Sequence, residues 1–195
     1  MAKIGLTGRI GSGKTTVMKM LVKMGAKAFD ADRQVHQFYR DSSHPVYKKV
    51  KKIIPEAEQG SEISREKLKK IVFKKNHKLR QLERVVHPAV IKALKEWLSA
   101  KKKEDVCVAE LPLLFELKLE NLFDKTVLLK VKEKILAKRL EKKYGFSDSE
   151  IKQRLSLYLP VEEKEKKSSF VLNNNSGLKN LEKEVSVLWQ KINKI

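Results

Sequence analysis

Short apolar runs alternate along the chain with longer stretches in which apolar residues recur every three or four positions, the signature of strands alternating with amphipathic helices. Residues 3–7 (KIGLT) form the first run and stop at a glycine. Residues 15–24 follow with Val17, Met18, Leu21 and Val22 at helical spacing and Gly25 as a stop. A brief second strand is expected over 26–29, and runs rich in Val and Leu predict three more over 105–114, 126–131 and 170–172. None alternates polar and apolar residues, which suits strands covered on both faces of a parallel sheet. Between the second and third strands lie about seventy residues of helical period: 33–40, a stretch from Pro45, 64–75 with Ser64 as a cap, and 78–100. Pro88 interrupts the last of these, so His87 is expected at a break or a helix start. After the strand at 126 come a helix over 132–144, a turn at Gly145, and a capping box Ser147-Asp-Ser-Glu150 opening a helix to about residue 159, which Pro160 ends. A helix over 178–192 closes the pattern. The expectation is one α/β domain, 1–195, with a central parallel sheet and helical insertions at 33–100 and 132–167.

The chain has 195 residues with 41% hydrophobic residues, enough for a core, so intrinsic disorder is disfavoured. Its one cysteine, Cys107, lies in an apolar run, which fits a buried thiol in a reducing compartment rather than a disulfide framework. No apolar stretch approaches the ~18 residues of a membrane span, and the opening MAKIGLTG is not a signal sequence; a cytoplasmic protein without a membrane partner is expected. The formal net charge is +20, almost all of it lysine spread along the sequence. Such a field attracts phosphates without recognising any.

Gly8-Arg9-Ile10-Gly11-Ser12-Gly13-Lys14-Thr15 satisfies G-x-x-x-x-G-K-S/T between a predicted strand and a predicted helix. Glycines let backbone N–H groups converge on an anion, and the helix beginning near Gly13 adds its positive end. Lys14 can reach the β- and γ-phosphates of a nucleoside triphosphate, and the Thr15 hydroxyl can coordinate Mg²⁺. The expected ATP-binding set is Gly8, Gly11, Ser12, Gly13, Lys14, Thr15 and Thr16. The loop fixes the ligand but not the reaction. A short chain, helical insertions beside the sheet and no N-K-x-D base-recognition motif favour a small-molecule kinase over a switch GTPase or a motor.

Transfer to an alcohol needs a carboxylate near the acceptor hydroxyl and cations that follow the moving charge. Asp30 and Asp32 lie at the end of the second strand, on one face if the strand persists; alternatively one of them caps the following helix. Glu110 ends the run Val106-Cys-Val-Ala109 and can serve a Mg²⁺ hydration shell, or is a solvated strand end. Arg139 and Lys143 share a helix face, which clamps phosphates if it points inward and is an ordinary charged face if it does not.

Together these residues resemble the dephospho-CoA kinase family from residue 3 to about 177. The family's opening G-L-T-G-G-I-G-S-G-K-S/T stands here as Gly5-Leu-Thr-Gly-Arg9-Ile-Gly-Ser-Gly-Lys14-Thr15, and its D-A-D as Asp30-Ala31-Asp32. Its H-P is His87-Pro88, its V-P-L-L-F-E box is Leu111-Pro112-Leu113-Leu114-Phe115-Glu116, and the arginine before its V-F segment is similar to Arg65 before Val72-Phe73. The resemblance implies a three-layer P-loop kinase fold in which 33–100 binds the acceptor and 132–167 acts as a lid. It implies transfer of the ATP γ-phosphate to the 3′-hydroxyl of dephospho-CoA, with Mg²⁺. By it, Asp32 is the base, Arg139 the lid cation, and Arg65, His87, Pro112, Leu113 and Leu114 line the acceptor side with Asp32. Asn174 matches an asparagine near the ATP base.

Four positions depart from the pattern. Arg9 replaces a glycine, Leu136 and Tyr158 stand where glutamine is common, and Ser169 where an aspartate precedes the last strand. A related kinase acting on a nucleoside, a nucleotide or another small alcohol shares the scaffold. A nucleic-acid-dependent ATPase would suit the charge, but no nucleic-acid motif is present and the few aromatics are not interleaved with a basic stripe, so no specific nucleic-acid partner is expected. No pattern specifies an oligomeric state.

Overall fold

The computed structural model describes residues 1–73 and 75–194; of the expected helix over 64–75, Lys74 lies outside the described residues. Along the chain run β1 (Ala2–Thr7), α1 (Lys14–Lys23), β2 (Lys27–Asp30), α2 (Ala31–Arg40), α3 (Pro45–Ile53), β3 (Glu58–Gln59), β4 (Glu62–Ile63), α4 (Arg65–Val72) and α5 (Asn76–Ser99). Then come β5 (Val106–Glu110), β6 (Lys125–Lys130), α6 (Glu133–Tyr144), α7 (Asp148–Leu155), α8 (Val161–Lys167), β7 (Phe170–Asn173) and α9 (Leu178–Ile192). The chain divides into two compact units, one of Met1–Phe29 with Lys101–Ile195, the other Asp30–Ala100.

The first unit is built on a sheet of order β2-β5-β1-β6-β7. β1 pairs in parallel with β5 and β6, and β6 with β7. The expected strands buried on both faces are found: Val127, Leu128 and Leu129 are consecutive and each is at most 1% exposed. On one face Ile4, Leu6, Val108 and Leu129 pack with Val17 and Leu21 of α1 and Leu181 and Val185 of α9. On the other, a Cβ at Gly5 would lie 2.4 Å from Leu114 Cδ1, so the absent side chain lets the segment after β5 close over β1. β5 itself ends at Glu110, four residues short of the apolar run, because Pro112 has no N–H to continue a ladder.

Ser169 makes two reciprocal bonds, its Oγ accepting from Thr126 N and its N–H donating to Thr126 Oγ1, both 3.1 Å. The hydroxyl thus serves the entry to β7 where an aspartate was expected. The capping box at Ser147 is present, with Ser147 Oγ accepting from Glu150 N and Glu150 Oε2 from Ser147 N. α7 nevertheless ends at Leu155 rather than 159, and the chain after Pro160 forms a further helix, α8, before β7. α8 is seven residues with no apolar stripe; its inner contact is the stem of a lysine, Lys164.

The second unit joins α2, α3 and α4 to α5. It is not wholly helical, since β3 and β4 form a two-stranded antiparallel hairpin. Ser64 caps α4 as expected, accepting from Lys67 N. Pro88 does not break the last helix: α5 runs unbroken from Asn76 to Ser99, with His87 and Pro88 inside it. Val86, Val90, Leu94 and Leu98 recur at four-residue intervals on either side of the proline and are all buried, and that continuous apolar stripe outweighs one lost backbone bond.

Candidate active site

β1 delivers the phosphate loop. Thr7 is its last residue, Gly8 follows, and α1 begins at Lys14 with Gly13 as its N-cap at φ 100°, ψ 18°. That left-handed geometry would strain any side chain, and a Cβ there would also lie 2.5 Å from Asn174 Nδ2. Arg9, by contrast, is not among the residues with positive φ, so the loop accepts its Cβ without strain. The Lys14 ammonium is buried at the loop and donates to Gly8 O at 3.0 Å and Arg9 O at 3.3 Å. Ser12 Oγ is buried and has no hydrogen-bond partner among the described residues. Thr16 sits half-buried in the first turn of α1.

The β1–β5 register pairs Leu6 with Glu110, which brings the end of β5 beside the loop. Glu110 is buried, not a solvated strand end, and its Oε1 accepts from Thr15 Oγ1 at 3.3 Å. This edge is where ligands bind in open parallel sheets.

Ile10 and Gly11 rest on the 132–167 segment. Val131, Leu136, Leu140, Ile151 and Leu155 form an apolar cluster with Ile10 packed on it, and a Cβ at Gly11 would lie 2.9 Å from Leu140 Cδ2. Leu136, one of the departures, is therefore a core residue of that cluster. One turn on, Arg139 donates to Asn174 O at 2.9 Å and reaches Asn174 Oδ1 at 3.5 Å. Asn174 Nδ2 in turn donates to Ser12 O at 2.8 Å, so a buried amide links the phosphate loop to the arginine. Lys143 does not share these bonds; it is exposed, 5.1 Å from the Tyr144 ring. Pro112 and Leu113 are half-buried and Leu114 is buried in the segment after β5.

In the second unit the Asp30-Ala-Asp32 strand does not persist. α2 begins at Ala31, Asp30 Oδ1 accepts from Arg33 N at 3.0 Å as its N-cap, and Asp32 is exposed in the first turn. Helix formation wins because the Asp30 carboxylate satisfies an otherwise orphaned N–H. His36 lies one turn beyond Asp32 on the same helix face, an i,i+4 spacing that is visible in the sequence itself. It lines a cavity of about 350 Å³ with Ser64, Arg65 and Glu62. Nearby, burial pushes the Tyr39 phenol up to about 12, opposed by the Arg65 guanidinium, so it stays neutral. His87 is half-buried in α5; burial holds its imidazole below the usual range and Glu83 pulls it back.

The comparisons with known proteins agree with this geometry. The dephospho-CoA kinase family model matches residues 2–180. A dephospho-CoA kinase of Aquifex aeolicus is 34% identical, with 98% of each chain covered. A solved structure from Thermus thermophilus is similar at 33% identity and a TM-score of 0.77, covering 97% of both chains. The fold is also that of a solved dephospho-CoA kinase from Campylobacter jejuni, with a TM-score of 0.68 at 24% identity over 99% of this chain and 98% of that one. A nucleotide loop at the end of β1, a buried acid beside it and a match along nearly the whole sequence lead to one assignment: the chain belongs to the dephospho-CoA kinase family.

Proposed function

We propose that the protein transfers the γ-phosphate of ATP to the ribose 3′-hydroxyl of dephospho-CoA, giving ADP and CoA. The observation that carries this reading is the phosphate loop at the β1 edge with Thr15 and Glu110 held together beside it. The loop amides and the start of α1 take the β- and γ-phosphates. Lys14 exchanges two neutral carbonyl acceptors for charged phosphate oxygens, the stronger partners for an ammonium. Arg139 faces the charge that spreads over the transferring group.

Asp32 accepts the proton of the acceptor hydroxyl. Asp30 is engaged as a helix cap, whereas Asp32 is exposed and free of that task. Arg65, His87 and Pro112–Leu114 hold the acceptor, with His36 added from the Arg65 cavity. Residues 33–100 act as the acceptor-binding part and 132–167 as the lid. Asn174 stands beside the loop, where its amide braces Ser12 as it meets the nucleotide.

Thr15 Oγ1 and Glu110 Oε1 offer hard oxygen donors 3.3 Å apart, the chemistry Mg²⁺ prefers; Thr15 would hold the ion directly and Glu110 through water. Held there, Mg²⁺ would supply charge neutralisation for the triphosphate. The buried free thiol of Cys107 agrees with a reducing, cytoplasmic setting, and among the described residues no helix is long and apolar enough to cross a membrane.

A coupled ADP-release assay offering dephospho-CoA, nucleoside monophosphates and pantetheine side by side tests the substrate. Turnover is expected with dephospho-CoA, with the new phosphate on the ribose 3′ position by phosphorus NMR. Inactivity on dephospho-CoA, or phosphate at another position, overturns the reading.

A further inference from the structure

Lys164 is a fully buried cation in α8, with 0% of its side chain exposed. Its Nζ donates to Glu116 Oε1 at 2.8 Å and to Pro112 O at 3.1 Å, and lies 5.2 Å from the Tyr158 ring. Glu116 Oε1 accepts a second bond, from Leu159 N at 2.9 Å. Pro112 O also accepts a second bond, from the Thr7 hydroxyl at 3.3 Å. One ammonium therefore grips both ends of the 112–116 segment. Through its two partners it also reaches the strand residue that precedes the phosphate loop and the backbone returning from the 132–167 insertion.

A buried ion pair is a weak source of stability, because desolvating two charges offsets most of their attraction. Apolar residues of similar size would fill the space as well. They would not fix the direction of the Pro112 carbonyl or the height of Leu159, which only directional bonds do. We infer that Lys164, with Glu116, is a positioning residue for the acceptor: it sets the 112–116 segment in register with the phosphate loop and the insertion. The inference rests on the reading above that Pro112–Leu114 line the acceptor side. Burial and the charge of Arg9 both pull the Lys164 ammonium toward losing its proton, and Glu116 opposes them. The carboxylate thus anchors the donor and favours its charged form.

The deciding variant is Lys164→Met with Glu116→Gln. It leaves no lone buried charge, and the glutamine oxygen still accepts from Leu159 N, so what is lost is the hold on Pro112 O. Steady-state kinetics on the folded protein, checked by thermal melting, are expected to show the KM for dephospho-CoA raised about tenfold while the KM for ATP stays within about twofold. Leu113→Ala, which alters the acceptor wall itself, is the companion. A rise with Leu113→Ala but a wild-type acceptor KM in the double variant overturns the positioning role and leaves the acceptor reading standing. No change in either variant overturns both. Equal losses against both substrates mark Lys164 as scaffold only and also overturn the inference. If the double variant does not fold, Glu116→Gln alone decides, since it removes the charged partner and loosens the grip on Pro112 O; an unchanged acceptor KM there sinks the proposal.

Discussion

Two residues apart, Asp30 accepts from Arg33 N and closes the first turn of α2, while Asp32 stays exposed in that turn. The division of labour leads to a sharp expectation. Asp32→Asn keeps size and polarity but cannot accept a proton, so turnover should fall by roughly 10²- to 10⁴-fold with the KM for ATP nearly unchanged. Near-normal turnover in that variant removes Asp32 from the chemistry. At this scale the sequence was informative wherever a motif fixes an atom's task. Gly13, Lys14 and Thr15 were legible because an anion cradle needs those residue types at that spacing. Asn174 was only half legible: the resemblance singled it out, but its link from Ser12 O to Arg139 depends on β7 ending beside α6, which no local pattern encodes. Glu110 was ambiguous for the same reason, since its burial beside Thr15 follows from the pairing of Leu6 with Glu110.

Among the elements, the sheet strands read clearly because burial on both faces demands uninterrupted apolar runs, as at Val127–Leu129. The β3–β4 hairpin, with two residues per strand, is too short for any period to register. α8 escaped because its buried contact is a lysine stem, invisible to a search for apolar stripes. α5 shows the opposite error, a local rule overridden by tertiary packing. Pro88 is exposed in the helix, so its ring contributes little burial. Pro88→Ala would restore a backbone donor, and after allowing for the looser unfolded chain the protein should gain about 1–2 kcal/mol. Urea unfolding of the two proteins measures it, and a variant no more stable than the parent would show that the proline's fixed angle is itself required there.

For the molecule as a whole, the net charge of +20 sets the approach of substrate rather than its recognition. In the proposed function recognition falls to a few placed groups, Lys14 and Arg139 among them, and most of the remaining lysines are exposed. Raising salt from about 0.02 to 0.2 M should therefore lower kcat/KM for both anionic substrates several-fold while kcat changes little, as screening shortens the reach of the field. Stopped-flow binding at the two ionic strengths reads the effect directly, and a salt-independent association rate would refute electrostatic steering. The contact of Ile10 and Gly11 with the Leu136–Leu140 cluster carries a further consequence. The helix that bears Arg139 is seated on the phosphate loop, so a movement of the 132–167 segment is felt at Ile10 and Gly11, and the arginine and the loop are coupled through packed side chains as well as through any shared ligand.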